Sequence, residues 1–266
     1  MGVLDEILAA KRDAVTLLHQ PPTRDAIHAA ALAAPAPRDF VGALQRGDQL
    51  AVIAELKRRS PSKGDLAPDL DPAATAAAYQ QGGAAALSVL TDRLFFGGSV
   101  DDLREARSAA SDTPALRKDF TIDVDQLYES RAIGADAVLL IVAAVPDRGA
   151  LRELHELAGA LHLGALVEVH NEDELEVALE LGARVVGVNA RDLGTFAEDL
   201  SVAERLAARI PRAVVAVAES AIRAVADARR MADAGFDAVL VGEALVRAED
   251  PAGLVAQLAA TPRTLR

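Results

Sequence analysis

Glu55 and Lys57 stand two residues apart at the end of the apolar run Val52-Ile53-Ala54, and the chain then turns ionic through Arg58-Arg59-Ser60-Pro61-Ser62-Lys63-Gly64. In a strand alternate side chains share a face. A carboxylate and an ammonium therefore project together from a buried segment, which is costly unless the charges are paired or used. Such a pair suits proton transfer and anion binding. Taken alone, the stretch also reads as an exposed basic loop or a solvated ion pair. Residue usage sharpens the choice. Of 28 basic residues only Lys11, Lys57, Lys63 and Lys118 are lysine, and asparagine occurs only as Asn171 and Asn189. In a chain that otherwise uses arginine, a lysine marks a place where a compact charge with a movable pKa is wanted.

Positioning these groups falls to an alternation of strands and helices that begins at residue 51. Near-continuous apolar runs predict strands at Val52–Lys57, Ala86–Thr91, Ala115–Lys118, Ala137–Val142, Ala165–Val169, Val185–Asn189, Val214–Glu219 and Ala238–Gly242, as in parallel sheets buried on both faces. Asp71-Pro72 and Asp250-Pro251 read as an N-cap before a proline at the first helical position. Asn171 with Glu174 reads as a capping-box-like pair. Gly82, Gly134, Gly182 and Gly235 sit where helices should end, and the last three recur at intervals of about 50 residues, as a repeated pair of βα units would. Eight βα units in succession predict an α/β fold of the (βα)8 TIM-barrel type. A doubly wound open sheet is the alternative, but no G-x-G-x-x-G turn follows a strand.

Ahead of the strands, residues 3–18 read as an amphipathic helix with Leu4, Ile7, Leu8, Val15 and Leu18 on one face, stopped by Pro21-Pro22. A second helix is expected over roughly 25–33. This gives one domain over 1–266, with a helical extension at 1–48 and a barrel at 49–266. The extension can cover the barrel mouth with Ile7 and Leu8. Its deletion over 1–45 is expected to raise KM far more than it lowers thermal stability.

Composition narrows the classes. The chain has 266 residues, 51% of them hydrophobic and 3% aromatic, so its core is aliphatic. A net charge of −12 argues against nucleic acid or an anionic membrane as partner. The absence of cysteine removes disulfides, thiolate zinc sites and a thiol nucleophile. No apolar run is long enough to span a bilayer and no signal peptide is evident, so a cytoplasmic location is expected. The helices show no exposed apolar stripe, which points to a monomer.

In such barrels the chemistry lies at the C-terminal ends of the strands. Those ends carry Glu55, Lys57, Thr91, Lys118, Glu168, Asn189, Arg191, Glu219 and Ser220. Strand ends are polar wherever they leave a core, but that does not explain why the scarce residue types gather there. Glu219-Ser220-Ala221 after the seventh strand and Gly242-Glu243-Ala244-Leu245-Val246 after the eighth, read as a short helix, match the phosphate site common in this fold. The alternative there is a plain structural turn.

The stretch Glu55-Leu56-Lys57-Arg58-Arg59-Ser60-Pro61-Ser62-Lys63-Gly64 resembles the first-strand motif of indole-3-glycerol-phosphate synthase. The resemblance continues through Ser88-Val89-Leu90-Thr91-Asp92, Phe95-Phe96-Gly97-Gly98-Ser99, Leu116-Arg117-Lys118-Asp119-Phe120 and Leu166-Val167-Glu168-Val169-His170. It ends with Gly187-Val188-Asn189-Ala190-Arg191-Asp192-Leu193, Ala218-Glu219-Ser220 and Val241-Gly242-Glu243. It implies conversion of 1-(2-carboxyphenylamino)-1-deoxyribulose 5-phosphate, a small phosphosugar, to indole-3-glycerol phosphate, with loss of carbon dioxide and water. It also implies Lys118 as general acid and Lys57 as partner of the substrate carboxylate and acid in dehydration. Glu168 and Glu55 form the pair from which the base is drawn, with the protons not divided between them. Asn189 and Ser220 complete the catalytic set. Ser60, Arg191 and Glu219 contact substrate, Phe96, Phe120 and Leu139 wall the aryl ring, and Ser220, Ala221, Gly242 and Glu243 bind phosphate. No cofactor and no metal are implied.

A lysine lowered toward neutral pH by its neighbours would suit the acid step. Two positions depart from the family's habit: Ala221 replaces its usual glycine, and Glu243 stands where some relatives have serine, its side chain expected to point away. Phosphoribosylanthranilate isomerase, a neighbouring phosphosugar barrel, commonly uses a cysteine this chain lacks. A phosphate-sensing barrel without activity would not need the full catalytic set.

Overall fold

A computed structural model describes residues 2–191 and 197–263, which leaves Asp192 and Leu193 of the sixth-strand motif outside the described residues. Eight parallel strands close into a barrel: β1 (Ala51–Leu56), β2 (Ala86–Leu90), β3 (Ala115–Lys118), β4 (Ala137–Ile141), β5 (Gly164–Val169), β6 (Val185–Asn189), β7 (Val215–Glu219) and β8 (Ala238–Val241). Each pairs with its neighbours in sequence, and β8 closes on β1 from Ala51↔Ala238 to Ala54↔Val241. The expected strands differ from these by a residue or so at their ends. Their side chains are buried on both faces, with Ile53, Leu87, Leu116 and Leu140 among the largest fully enclosed, as a barrel interior filled by branched aliphatics requires.

The barrel helices begin with α3 (Pro72–Gln81), after α1 (Val3–Leu18) and α2 (Pro21–Ala33) of the extension. They continue with α4 (Val100–Ala109), α5 (Val124–Ala132), α6 (Arg148–Ala160), α7 (Glu172–Glu180), α8 (Leu200–Ala207), α9 (Val225–Asp233) and α10 (Pro251–Ala259). Asp71 and Asp250 cap α3 and α10 ahead of their prolines. Asn171 caps α7 through the Glu174 amide, but the Glu174 carboxylate turns to His170 instead of returning to the cap backbone. Gly134, Gly182 and Gly235 take the left-handed conformation at helix ends, while after α3 that conformation falls to Gly83 and Gly82 stays right-handed. No helix among the described residues is long and apolar enough to cross a membrane.

Pro21 and Pro22 do not merely stop α1. They start α2, because proline suits the first turn, where its missing N–H is not needed. The extension is also more than a cover for the mouth. α2 lies along α5, with His28 stacked on Tyr128 at 3.8 Å and its Nε2 2.7 Å from Asp125 Oδ1. The chain then passes beneath the barrel, where Arg38 N donates to Asp136 Oδ1 at 2.8 Å and Phe40, Val41 and Leu44 join the core. Deleting 1–45 would therefore remove core side chains as well as the cover of the mouth, so a loss of stability is to be expected beside the rise in KM.

Candidate active site

The strand ends converge as the sequence pattern requires, and the centre of the convergence is Lys118 on β3. Its Nζ donates to Glu168 Oε2 on β5 at 2.7 Å and to Glu219 Oε2 on β7 at 2.9 Å. On the adjacent side Glu168 Oε1 accepts from Asn189 Nδ2 at 3.0 Å, and Asn189 Oδ1 accepts from Ser220 Oγ at 2.7 Å. Just past β1, Lys57 Nζ lies 2.8 Å from Glu55 Oε1, and Ser88 Oγ on β2 donates to Glu55 Oε2 at 3.1 Å. The two ion pairs are nearly closed to water, which strengthens every charge interaction among them.

Two glycines make room for these acids. A side-chain carbon on Gly187 would stand 2.0 Å from Glu219 Oε1, and one on Gly242 would stand 2.5 Å from Glu55 Oε1 and 3.2 Å from Lys57 Nζ. Gly242 therefore admits the Glu55–Lys57 pair in addition to forming the turn before the helix Glu243–Val246. In the sequence Gly187 stands only as one letter of the sixth-strand motif, because nothing local marks the need for it.

The proton affinities follow from this packing. Burial alone would lower Lys118, but the charges of Glu168, Glu219 and Glu55 outweigh it and hold the ammonium above the usual lysine range. This corrects the expectation of a lysine lowered toward neutrality. Burial would raise Glu168, yet Lys118 and His170 keep it well below the usual carboxylate range. Burial, with the Glu168 and Glu55 charges, pushes Glu219 up to about 7 against the pull of Lys118. Glu168 and Glu219 share the Lys118 ammonium, and Glu219 is the one that yields.

The cavity above these groups is lined on one side by Phe96, Phe120, Leu139 and Ile141 and on the other by Ser220, Ala221, Gly242 and Glu243. Phe96 and Phe120 lie 6.2 Å apart between ring centroids. Ser220 and Ala221 both take left-handed backbone conformations, φ 66° and 57°, and turn the chain sharply beside the amides that open the Glu243–Val246 helix. Leu245 N and Val246 N donate to Gly242 O, whereas the Glu243 and Ala244 amides ahead of them precede any intrahelical acceptor, so these two suit an anion. The Glu243 side chain turns back along its helix to Arg247 at 3.3 Å, away from the amides, as expected. Arg191 and Glu219 also line the cavity. Ser60 does not: it is buried in a short hairpin, its Oγ accepting from Lys63 N at 3.2 Å, and Pro61 reaches the cavity in its place.

Ile7 of α1 closes one side of the mouth as expected, joined by Val3 and Leu4, while Leu8 turns into the core. Other residues around the cavity escaped the sequence pattern. Lys11 is buried with its Nζ 2.9 Å from Asp92 Oδ2 and 2.7 Å from Asp119 Oδ1, both acids lining the cavity. Glu198 bridges Arg191 and Arg223 at the rim. The signal for Lys11 was present, since it falls on the stripe Leu4, Ile7, Leu8, Val15; an apolar helix face that carries one lysine marks a buried charge.

Comparison with known proteins agrees with the geometry. The chain is 49% identical over 260 residues to an indole-3-glycerol phosphate synthase of Streptomyces griseus, covering 98% of this chain and 96% of the relative. It is 50% identical to one of Mycobacteroides abscessus, covering 96% and 93%. Solved structures below 20% identity share the barrel alone: a tryptophan synthase of Mycobacterium tuberculosis (TM-score 0.64, 17% identity, 86% of this chain and 100% of that one) and the 3-hexulose-6-phosphate synthase of Salmonella typhimurium (TM-score 0.62, 15% identity, 80% and 98%). The indole-3-glycerol phosphate synthase family profile matches residues 4–258, and on that match and those identities the chain belongs to the indole-3-glycerol phosphate synthase family, lyases of tryptophan biosynthesis.

Proposed function

We propose that Lys118 is the general acid with which this chain closes the indole ring of indole-3-glycerol phosphate. The observation that carries this reading is the Lys118 ammonium, held between Glu168 and Glu219 on the floor of a two-sided cavity. The substrate, 1-(2-carboxyphenylamino)-1-deoxyribulose 5-phosphate, is two-sided in the same sense. Its phosphate suits the loops after β7 and β8, and its aryl ring suits the apolar wall after β2 and β3. Because β3 stands opposite β7 in an eight-stranded ring, a substrate spanning the mouth lays its ketone over Lys118.

The aryl carbon that bears the carboxylate attacks the ketone carbon, and the carbonyl oxygen takes a proton from Lys118 Nζ. Carbon dioxide then leaves with its bonding electrons returned to the ring. Loss of the new hydroxyl as water requires a second proton from an acid and removal of one carbon-bound proton by a base. Glu168 is the base in this reading. While Lys118 is charged it holds Glu168 at low basicity, and once Lys118 has given up its proton that restraint is gone, so the base strengthens when it is needed. Lys57 supplies the dehydration proton. Its Nζ beside Gly242 supports a contact with the phosphate as well as with the substrate carboxylate. Asn189 and Ser220 hold Glu168 in register. Ser60, set back from the cavity, acts on the carboxylate only if the hairpin shifts toward it.

The enzyme is taken to work as one domain and as a monomer in the cytoplasm. In support, the exposed large apolar side chains among the described residues, Leu17, Leu32 and Leu94, lie on three separate elements.

The test is Lys118→Arg. Arginine keeps the charge but does not release its proton near neutral pH. Turnover, followed by the fluorescence of the indole product, should fall by roughly 10² to 10⁴, the usual range for loss of a positioned acid. The loss should appear in kcat and kcat/KM together. Near-normal kcat with a changed KM would reduce Lys118 to an electrostatic anchor.

A further inference from the structure

Behind Glu168, outside the cavity lining, a histidine stands between two carboxylates. His170 Nε2 lies 3.3 Å from Glu168 Oε1, and its Nδ1 lies 3.0 Å from Glu174 Oε2 at the start of α7. Glu174 is itself fixed: its Oε2 accepts from the His170 amide at 2.8 Å and its Oε1 from Asn171 Nδ2 at 2.8 Å. The side chain of His170 is only 12% exposed. Nothing in the ring-closure chemistry calls for it, since it does not reach the substrate cavity.

We propose that His170 is a positioning residue that stays an imidazolium through the working pH range, clamped by Glu174, and holds Glu168 as an oriented anion facing Lys118. This rests on the reading of Glu168 as the base. Nδ1 is hydrogen-bonded to Glu174, while Nε2 is buried without a hydrogen bond of its own and faces Glu168 Oε1 at ion-pair distance. A neutral ring protonated on Nδ1 would turn the bare lone pair of Nε2 toward the Glu168 anion, whereas the cation presents a positive N–H edge to both carboxylates. Burial would lower His170, but the two carboxylates beside it outweigh this and raise it to about 10. The groups facing it are Glu168 at the end of β5, two residues before it, and Glu174 on α7. The turn Val142–Ala144, which packs against α7, brings only apolar side chains. Facing Glu168 are Lys118, Asn189 and His170, with Glu219 and the Glu55–Lys57 pair beyond Lys118.

The consequence reaches the whole acid cluster. Glu168 and Glu219 share Lys118, so they titrate as a unit whose apparent pKa values belong to the pair. A fixed positive charge behind Glu168 keeps its anion stable and sets where the second carboxylate yields. Taking that charge away should move the cluster's protonation to higher pH.

Two measurements test this. In the ligand-free protein, ring-nitrogen NMR identifies the His170 signal by its loss in His170→Gln, among five histidines. It should report a doubly protonated ring at pH 8, and in Glu174→Gln its titration midpoint should fall by about one unit or more. In kinetics, the acid limb of kcat/KM should move about one pH unit to the alkaline side in His170→Gln, which keeps an amide donor but no charge. Glu174→Gln should move the limb in the same direction, and this second variant carries the test if His170→Gln does not fold. A neutral His170 ring at pH 8, or acid limbs that coincide with the parent's, would overturn the proposal. Failure of the base assignment shows separately, as retained turnover in Glu168→Gln, because the NMR signal is read without substrate.

Discussion

Ser220 and Ala221 place two consecutive non-glycine residues in the left-handed region, at φ 66° and 57°. An L-residue there costs roughly 1–2 kcal/mol relative to a right-handed conformation, and glycine escapes most of that cost. The strain at Ala221 is already present in the ligand-free chain, so relieving it should stabilise the fold more than it tightens binding. We expect Ala221→Gly to raise stability by about 1 kcal/mol, after allowance for the greater freedom of glycine in the unfolded chain. The inhibition constant of inorganic phosphate should stay within a factor of about two, a difference well under 1 kcal/mol. Denaturant midpoints and phosphate inhibition read the two effects. A variant no more stable than the parent but much tighter for phosphate would mean that the loop rearranges on binding. This residue was legible as an irregularity, because Glu-Ser-Ala stood where a glycine was expected. That Gly187 admits Glu219, and that Gly242 admits Glu55 besides serving the phosphate turn, was not, since those needs are set by side chains arriving from other strands. Lys118 and Asn189 were legible because scarce residue types fell at predicted strand ends, and Glu168 because a carboxylate closed an apolar run there. The ionisation of Lys118 was not, because its sign depends on how many acids gather around it.

The extension shows what one helix contributes beyond its apolar face. α1 closes the mouth with Val3, Leu4 and Ile7, and Lys11 fastens it there through Asp92 and Asp119. Asp92 also caps the short helix Arg93–Phe96, and Asp119 Oδ1 accepts from the Phe120 amide at 2.8 Å. One ammonium therefore braces the loops that carry both phenylalanines of the aryl wall. Lys11→Met keeps the length of the side chain but leaves buried Asp92 without its cation, while Asp119 retains Arg117; breaking a buried pair costs about 3–5 kcal/mol. In protein that remains folded, KM for the substrate should rise several-fold while phosphate inhibition, read at the far side of the mouth, is unchanged. Equal weakening of both would show a general loss of structure, and an unchanged KM would remove α1 from substrate binding. The strands were legible nearly to the residue, because parallel strands buried on both faces are written as unbroken apolar runs. The path of residues 34–44 beneath the barrel was not, because the anchor at Asp136 and the contacts of Phe40 join parts of the chain about a hundred positions apart.

At the scale of the molecule, its buried titrating groups bind protons in opposite senses, and their sum sets how stability depends on pH. Burial opposes the charge of Glu168, Asp119 and Glu174, but cationic partners hold all three below their ordinary values. Their contribution is complete above the unfolded carboxylate range and is lost as pH falls through the folded values. Glu219 is raised by burial to about 7. The folded state then holds a proton that the unfolded chain has released, so stability declines as pH climbs from about 4.5 toward 7. His170 works in the same direction at higher pH. Despite burial, the Glu168 and Glu174 carboxylates beside it raise it to about 10, so its contribution is full below about 6.5 and disappears as pH rises to 10. The three trends leave a maximum on the acid side of neutrality. We expect thermal midpoints measured across pH 4 to 10 to peak near pH 5 to 6 and to decline steadily to the alkaline end. The acid-side fall should be steeper, because several carboxylates protonate over a narrow range. The His170→Gln protein should lose much of the alkaline decline while keeping the acid-side fall, since only the imidazolium links stability to pH between 7 and 10. A midpoint that rises from pH 6 to pH 9 would mean that His170 is neutral in the folded protein and that Glu219 ionises as an ordinary carboxylate.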